Sequence, residues 1–530
     1  DALPCESFVR QYYHWVPAED LSERDPLDLY GAAVAHWNLT QHRAPGEMKI
    51  HVYNPELEQN GRASSHTVVE LVTADIPFLV DTVTMELNRQ GYGIDLVIHP
   101  VIRVRRDADG KLIELLEPDA EADDAIPESI IQVEVVRTRD RQKLQELRDG
   151  IARVLGDVEL AVRDWGAMRK QMTGVAAELE RNPPPIDRDE VKEVKEFLDW
   201  VADDHFTFLG YREYIFEAAE DSIALRAAEE TGLGILSGPP ATPVTVLKPK
   251  ALALATSPHL LVLTKANSRA TVHRPAYLDY IGVKMIGPDG NVTGERRFLG
   301  LYTSSAYKQS PLAIPLLRNR VQAVLDRAGF PPASHDFKAL LEILETYPRD
   351  SLFQVEDDEL FDVAIGVLGL GERQRLRLFV RRDPLDRFMA CLVCVPRDRF
   401  NTENRELIGR LLGDGFGGTQ IHYALYLSES VLVRVHYIVD LPPDPPEEYD
   451  IAEIEARLVQ AIRAWTDDLS DALTEELGED RAARLYARYR NAFPPAYRDE
   501  WFARSAVADI ARLEQLTAED HGDDPILSLY

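Results

Sequence analysis

The chain has 530 residues, with 90 Asp and Glu against 59 Lys and Arg, and a formal charge of −31. Its length exceeds what one hydrophobic core serves and points to about three or four domains, and its 45% hydrophobic and 28% charged content are ordinary for a globular protein. The charge excludes nucleic acid and anionic membrane as general partners, because phosphate would repel it.

Taken in order, residues 1–45 read as helical, with Ser22 placed to cap a helix carrying Leu27, Leu29, Tyr30, Val34 and Trp37. Met48 to Tyr53 is a short strand. Thr67 to Val72 is a β-branched strand followed by the acidic turn Thr73-Ala74-Asp75-Ile76-Pro77. A helix is predicted from about Pro77, which suits a first helical turn because its missing N–H needs no partner there. Gly91 and Gly93 end it, and a second strand runs from Ile94 to Val104. Asp107 to Gly110 is a hairpin turn, Glu117 to Glu128 an acidic loop, and Ser129 to Arg137 an alternating strand. Arg139 to Leu155 reads as a second packing helix and Glu159 to Glu180 continues helical, before the proline linker Asn182 to Pro185.

Beyond the linker, residues 187–204 form a helix. Strands are expected at Phe206 to Phe216, Leu260 to Lys265, Tyr280 to Ile286 and Arg296 to Tyr302, a pattern that suggests a PAS-like sheet. Residues 311–346 are helical with a break at Pro331-Pro332. From Arg375 a strand–helix–strand–strand order repeats the first unit: two strands to about Phe400, a helix from Asn404 to Leu412, then strands Ile421 to Leu427 and Val431 to Val439. After a second proline linker, Leu441 to Pro446, the chain is nearly all helical from Ile451. Trp465, Leu469, Leu473 and Leu477 there form an apolar face in want of a partner surface.

Asp75-Ile76-Pro77-Phe78-Leu79-Val80-Asp81 and Val97-Ile98-His99-Pro100-Val101 resemble the first ACT domain of the large, NAD-dependent glutamate dehydrogenases of bacteria. The resemblance continues through His273-Arg274-Pro275 with Tyr280-Ile281, Glu295 to Tyr307, Ser334-His335-Asp336, Pro348-Arg349-Asp350 with Leu352-Phe353-Gln354, and Val395 to Asp398. It implies a multidomain α+β fold with ACT-like, that is ferredoxin-like, domains, a PAS-like sheet and helical linking segments. The expected division is 1–181 for N-terminal helices plus the first ACT-like domain, 186–308 for the PAS-like domain, 309–372 helical, 373–446 for the second ACT-like domain, and 447–530 helical. The chain resembles the N-terminal regulatory portion of such an enzyme, whose catalytic region lies C-terminal to the matched part. The parent enzyme would oxidatively deaminate L-glutamate with NAD as cofactor and assemble as a homo-oligomer, a tetramer in this size class.

Several motifs bear on chemistry. Gly413-Asp-Gly415-Phe-Gly-Gly418 matches G-x-G-x-x-G, but a dinucleotide needs a strand before it and a helix after it, whereas a helix precedes and a strand follows here. A glycine helix C-cap is the reading the context favours. The cysteines Cys5, Cys391 and Cys394 are too few for a disulfide framework, which points to a reducing cytoplasm. Cys391 and Cys394 lie in a strand, on opposite faces, as buried core thiols. No apolar run of ~18 residues and no signal-peptide pattern is present, so no membrane span is expected. The thirteen histidines show no metal-ligand spacing, no metal site is assigned, and no residue receives a catalytic role.

The acidic turn carries the functional weight. Asp75, Ile76, Pro77, Phe78, Leu79 and Asp81 are the candidate effector residues. Free N–H groups at a helix start can hold a carboxylate, and the neighbouring carboxylates can pair with an α-ammonium, which together describe an amino acid. The competing reading is that Asp75 or Asp81 caps or complements that helix. No cofactor is expected within the chain itself. A freestanding ACT-type amino-acid sensor and a complete dehydrogenase using Gly413 to Gly418 are the rivals, separated by native polypeptide mass and by NAD affinity.

Overall fold

The computed structural model describes residues 2–57, 64–118, 120, 122–219, 222–240, 242–371, 373–418, 420–426 and 430–517. The expected strand end at Leu427 and the acidic stretch before Tyr530 lie outside these residues, as do parts of the loop from Glu117. The chain divides into two units, residues 1–319 and 320–530.

In the first unit, helices α1 (Ala2–Tyr12) and α2 (Pro26–Thr40) precede strands β1 (Lys49–Tyr53) and β2 (His66–Ala74), helix α3 (Leu79–Arg89), and strands β3 (Ile94–Ile98), β4 (Val101–Arg106), β5 (Leu112–Leu115) and β6 (Ile126–Val136). The sheet runs β1-β2-β6-β4-β5, with β3 also on β6, and every pairing is antiparallel. Burial of β2 and β6 on both faces explains their near-continuous apolar sequence. Phe8, Tyr12 and Ala33 cover one face, above Val72, Leu96, Ile98 and Ile130. On the other face Leu79, Val83 and Leu87 pack with Ile131, Val133 and Val135.

Two local expectations are corrected here. Asp25, not Ser22, caps α2: its carboxylate accepts from the Leu27 N–H at 2.7 Å, and Pro26 takes the first helical position. Ser22 instead ends a short helical turn, Ala18–Ser22. The predicted strand Ile94 to Val104 is split at His99-Pro100, where a proline that cannot donate interrupts the ladder and lets β3 and β4 pair with successive parts of β6. The helical stretches expected at 139–155 and 159–180 are continuous across the gap between them, as α4 (Arg141–Arg181), which is 41 residues long and capped by Asp140. Gly156 stands in that gap, and a lone glycine costs a helix only about 1 kcal/mol.

Helix α5 (Arg188–Trp200) leads into a second antiparallel sheet. It consists of β7 (Phe206–Ala219), β8 (Ser222–Ala227), β9 (Leu233–Gly234), β10 (Val244–Val246), β11 (Leu261–Arg269), β12 (Tyr277–Ile286) and β13 (Val292–Tyr302), in the order β10-β8-β7-β13-β12-β11 with β9 on β7. The apolar stripe of α4, with Leu147, Ile151, Leu155 and Val158, joins both sheets in one core. Leu209, Val272, Leu278, Leu299 and Leu301 belong to the same cluster as Val69, Val83 and Val133.

Helix α6 (Leu317–Ala328) carries the chain into the second unit, followed by α7 (His335–Glu345), the one-turn helix Arg349–Leu352, and α8 (Asp357–Leu370). Strands β14 (Arg377–Arg382) and β15 (Phe388–Pro396), helix α9 (Thr402–Phe416), and strands β16 (Ile421–Tyr426) and β17 (Leu432–Asp440) build a sheet in the order β14-β15-β17-β16. Helices α9 and α10 (Ile451–Ala461) bury Ile408, Leu412, Phe416, Ile454 and Leu458 on one face of it. Helices α11 (Trp465–Leu477), α12 (Glu479–Tyr489) and α13 (Ala503–Leu516) form a separate core. The Trp465-Leu469-Leu473 face finds its partner there, in the same chain: Leu469 and Leu473 are fully buried among Leu485, Ala506, Val507 and Ile510. Four-residue spacing shows that a helix face must be covered but not by what.

Candidate effector site

The turn between β2 and α3 is shaped by backbone before side chains act. The Asp75 N–H donates to the Pro127 carbonyl at 3.1 Å, which continues the β2–β6 ladder one residue past the strand. The chain then reverses at Phe78, whose φ of +72° places a bulky residue in the left-handed region. Phe78 is the helix N-cap and no side chain caps α3. Pro77 therefore stands outside the helix rather than in its first turn, and Asp75 is not its cap, which overturns that half of the capping reading. Asp81, in the first helical turn, still complements the helix dipole.

The side chains divide by burial. Leu79 is buried, Ile76 and Phe78 are half-buried against the shared core, and Asp75, Pro77 and Asp81 face solvent. Asp75 Oδ1 accepts from the Ser129 hydroxyl at 2.6 Å, and Ser129 Oγ lies 3.0 Å from His99 Nε2. Burial pushes the His99 imidazole below its usual value, and the Asp75 carboxylate opposes that shift. On the other side of the turn, Asp81 Oδ2 lies 3.3 Å from Nδ1 of His273. The His273 backbone N–H donates to Thr82 Oγ1 at 3.2 Å, and its ring sits 5.0 Å from that of Phe78. His273 also has a positive φ, +73°.

Two left-handed, non-glycine residues thus meet over the start of α3, one from each sheet. The arrangement offers an uncapped helix N-terminus flanked by two carboxylates. It can receive a carboxylate at the helix and an ammonium at Asp75 or Asp81.

Sequence reading brought Asp75 to Asp81 together but missed Ser129, His99 and His273 as their neighbours. Ser129 lies 54 residues after Asp75, and no local pattern joins them. His273 belongs to the block His273-Arg274-Pro275, whose sequence gives a signal but no location. The far end of α3 holds another missed feature. Glu86 is nearly fully buried and accepts from Arg89 and Gln90 at 2.6–2.9 Å. Burial pushes its carboxyl up, but those bonds outweigh it and hold the group below the ordinary range. A Cβ at Gly150 on α4 would come 2.4 Å from Glu86 Oε1 and from Gln90 Nε2, so a larger residue there would displace these side-chain ends.

The remaining motifs have structural roles. Gly413 and Gly415 lie inside α9, and Gly417, at φ +65°, is its left-handed C-cap, with its N–H on the Gly413 carbonyl. A Cβ at Gly413, Gly415 or Gly418 would press on Ile421, Ile454 or Val439. Cys391 and Cys394 are free, buried and on β15, and burial raises both thiols. His66, Asp95 and Glu134 bring possible ligand atoms within 4.8 Å of one another. Arg24 already lies across them, 2.5 Å from Glu134 and 2.8 Å from Asp95, so the cation in this cluster is a guanidinium. Among the described residues, no helix is long and apolar enough to cross a membrane.

Comparison with known proteins matches four stretches in chain order. Residues 8–151 match the model described as glutamate dehydrogenase, ACT1 domain, and residues 314–373 match helical motif 1 of the same enzyme. Residues 377–466 match its ACT2 domain and residues 472–516 its helical motif 2. The sheets β1–β6 and β14–β17 are thus ACT domains within a mixed helix-and-sheet, multidomain chain. Similar proteins include the NAD-specific glutamate dehydrogenases of Halomonas elongata, 40% identical over 534 residues, and Pseudomonas aeruginosa, 36% over 522. That of Mycobacterium tuberculosis is 30% identical over 517 residues. They cover 100%, 98% and 95% of this chain, which in turn covers 33%, 32% and 30% of them. The chain therefore spans about a third of the length of the curated relatives it matches.

Proposed function

The chain belongs to the glutamate dehydrogenase family whose ACT domains and helical motifs it carries in order, and from that premise we propose that it is the N-terminal regulatory and oligomerisation segment of an NAD-dependent glutamate dehydrogenase. The parent reaction is L-glutamate + NAD+ + H2O to 2-oxoglutarate + NH4+ + NADH, carried out by a region beyond Tyr530 that also binds NAD. The segment follows the five-part division 1–181, 186–308, 309–372, 373–446 and 447–530, with a PAS-like second part. The parent is a cytoplasmic homo-oligomer, a tetramer in this reading. ACT sheets have edge strands, and pairing between copies removes an exposed edge.

Asp75, Ile76, Pro77, Phe78, Leu79 and Asp81 form the amino-acid effector site. The observation that carries this reading is the uncapped start of α3 between two solvent-facing carboxylates. The Phe78–His273 and Asp81–His273 contacts supply a route out of the site, because His273 belongs to the loop between β11 and β12 and that sheet shares a core with the first. Coupling of this kind is typically worth about 1–3 kcal/mol, enough to change affinity several-fold without touching the chemistry.

The test is an assay of glutamate-dependent NADH formation in the full-length polypeptide and in the 530-residue chain. The full-length enzyme should turn over and lose its amino-acid response with Asp75→Asn, while the chain alone should neither turn over nor bind NAD+. Turnover by the chain on its own would sink the proposal.

A further inference from the structure

The face of the β14–β17 sheet turned away from α9 and α10 carries positive charge that its surroundings leave unanswered. Arg381 on β14 stands opposite Ala390 of β15, and Arg434 on β17 stands opposite Cys394. Ala390 and Cys394 are four residues apart on one strand, so both arginines rise from the same face. His436, opposite Leu392, lies between them in register. The segment Thr346–Gln354, between α7 and α8, covers this face with polar groups. Arg434 Nη2 donates to Thr346 Oγ1 at 2.7 Å, Arg381 Nη2 donates to Gln354 Oε1 at 3.3 Å, and Ser351 Oγ lies 3.0 Å from His436 Nε2.

Arg381 and Arg434 are only 8% and 7% exposed. The Nε of Arg381 is buried with no hydrogen-bond partner, and among the described residues neither guanidinium has a carboxylate within ion-pair distance. The carboxylates that act on them are Asp383, Glu359 and Glu342. Asp383 is held by Arg387 through two contacts of 2.7 Å. Glu359 and Glu342 act on the arginines only at longer range. Burial pushes the Tyr347 phenol and the Cys394 thiol up to about 12, so neither supplies an anion. Burial also lowers both arginines, but a guanidinium does not give up its proton in a protein. A buried cation in this state is costly, and pairing with an anion is what relieves it.

We propose that the layer between Thr346–Gln354 and this sheet face is a binding site for a small acid with two anionic groups. Arg381 and Arg434 hold one group each, and Thr346 and Gln354 serve as neutral partners. Their register partners Ala390 and Cys394 are four residues apart on β15, so the two arginines enter the layer at separate points, one for each anionic group. The forked guanidinium binds carboxylate and phosphate alike, so the ligand is defined as an oxyanion and the probes separate the two chemistries.

The full chain is melted in rising concentrations of succinate, inorganic phosphate, acetate and sodium chloride at matched ionic strength. The expected result is a saturable rise in Tm with succinate or phosphate that acetate and chloride do not reproduce. A larger effect of succinate marks a dicarboxylate site, and a larger effect of phosphate marks a phosphate site. Arg381→Met and Arg434→Met should each raise Tm in chloride and weaken anion binding at least tenfold. No rise above the chloride control, or a rise retained in both variants, overturns the proposal. Hydrogen exchange on the unaltered chain serves if a variant does not fold. Succinate or phosphate should slow exchange over residues 346–354 at least threefold, and unchanged exchange there also overturns it.

Discussion

Asp75→Asn tests the effector site most directly, because the structure separates its effect on binding from its effect on stability. Asp75 is exposed and caps nothing. Among the described residues its side chain accepts one hydrogen bond, from the Ser129 hydroxyl. An asparagine oxygen can accept the same bond, so the stability cost should stay below about 1 kcal/mol, and exposure reduces the charge contribution further. For a large domain that is a fall in Tm of at most ~2–4 °C. Binding is another matter. A charge-assisted hydrogen bond between the Asp75 carboxylate and an α-ammonium is worth roughly 1.5–3 kcal/mol, which at ~1.4 kcal/mol per decade is about one to two decades in Kd. Ser129→Ala keeps the charge and releases only its orientation, so its loss should fall under about one decade at ~1.4 kcal/mol per decade. Calorimetric titration of the free amino acids against the three proteins reads all of this. The site is refuted if no amino acid binds the wild type at millimolar concentration, or if Asp75→Asn binds as tightly as the wild type.

Three further outcomes are expected. In Gly418→Ala the new Cβ would meet Val439 Cγ1 and lie 3.2 Å from the Asp440 carbonyl oxygen, so the variant should lose ~1–3 kcal/mol in denaturant unfolding. NAD+ titrations should be flat in wild type and variant alike, whereas micromolar affinity abolished by changing Gly415 and Gly418 would restore the dinucleotide reading. Leu473→Ala should cost ~2–5 kcal/mol in the transition of the C-terminal helices and leave the oligomeric state unchanged, because its partners are in its own chain; dissociation would place that face between subunits. Lys284 is buried, donates to Ser257 Oγ at 2.8 Å, and has its ammonium pushed down by burial to about 8. Its folded value lies below the ordinary ~10.4, so between those two pH values the unfolded chain binds more protons and stability rises with pH. Below about 8 the cost of burying the charge is fully present, on the order of 3 kcal/mol at ~1.36 kcal/mol per unit. Melts of wild type and Lys284→Met should therefore differ most near pH 7 and converge towards pH 10, and parallel curves would contradict this.

Strands β8, β9 and β10 were not legible along the chain, whereas both ACT sheets and the helical character of both flanking segments were. Each rests on a local signal: β-branched alternation in β2 and β6, glycine at the end of α9, four-residue apolar spacing in α11. The glycine cluster could be read as a C-cap because the helix precedes it in sequence. Tertiary structure decided what covers what. α4 runs unbroken because its apolar stripe is buried along its length between two sheets, and this packing outweighs the weak preference of Gly156. Phe78 holds a left-handed N-cap that no propensity would assign to it, since its ring packs against the core and the His273 ring. Ser129 and His273 reach the turn only through β6 and the β11–β12 loop. The unanswered charge of Arg381 and Arg434 exists only once a helical segment covers the sheet. Periodicity reports which face of an element is buried, whereas contacts between residues far apart in sequence depend on how whole elements pack, and that packing alone assembles both candidate sites.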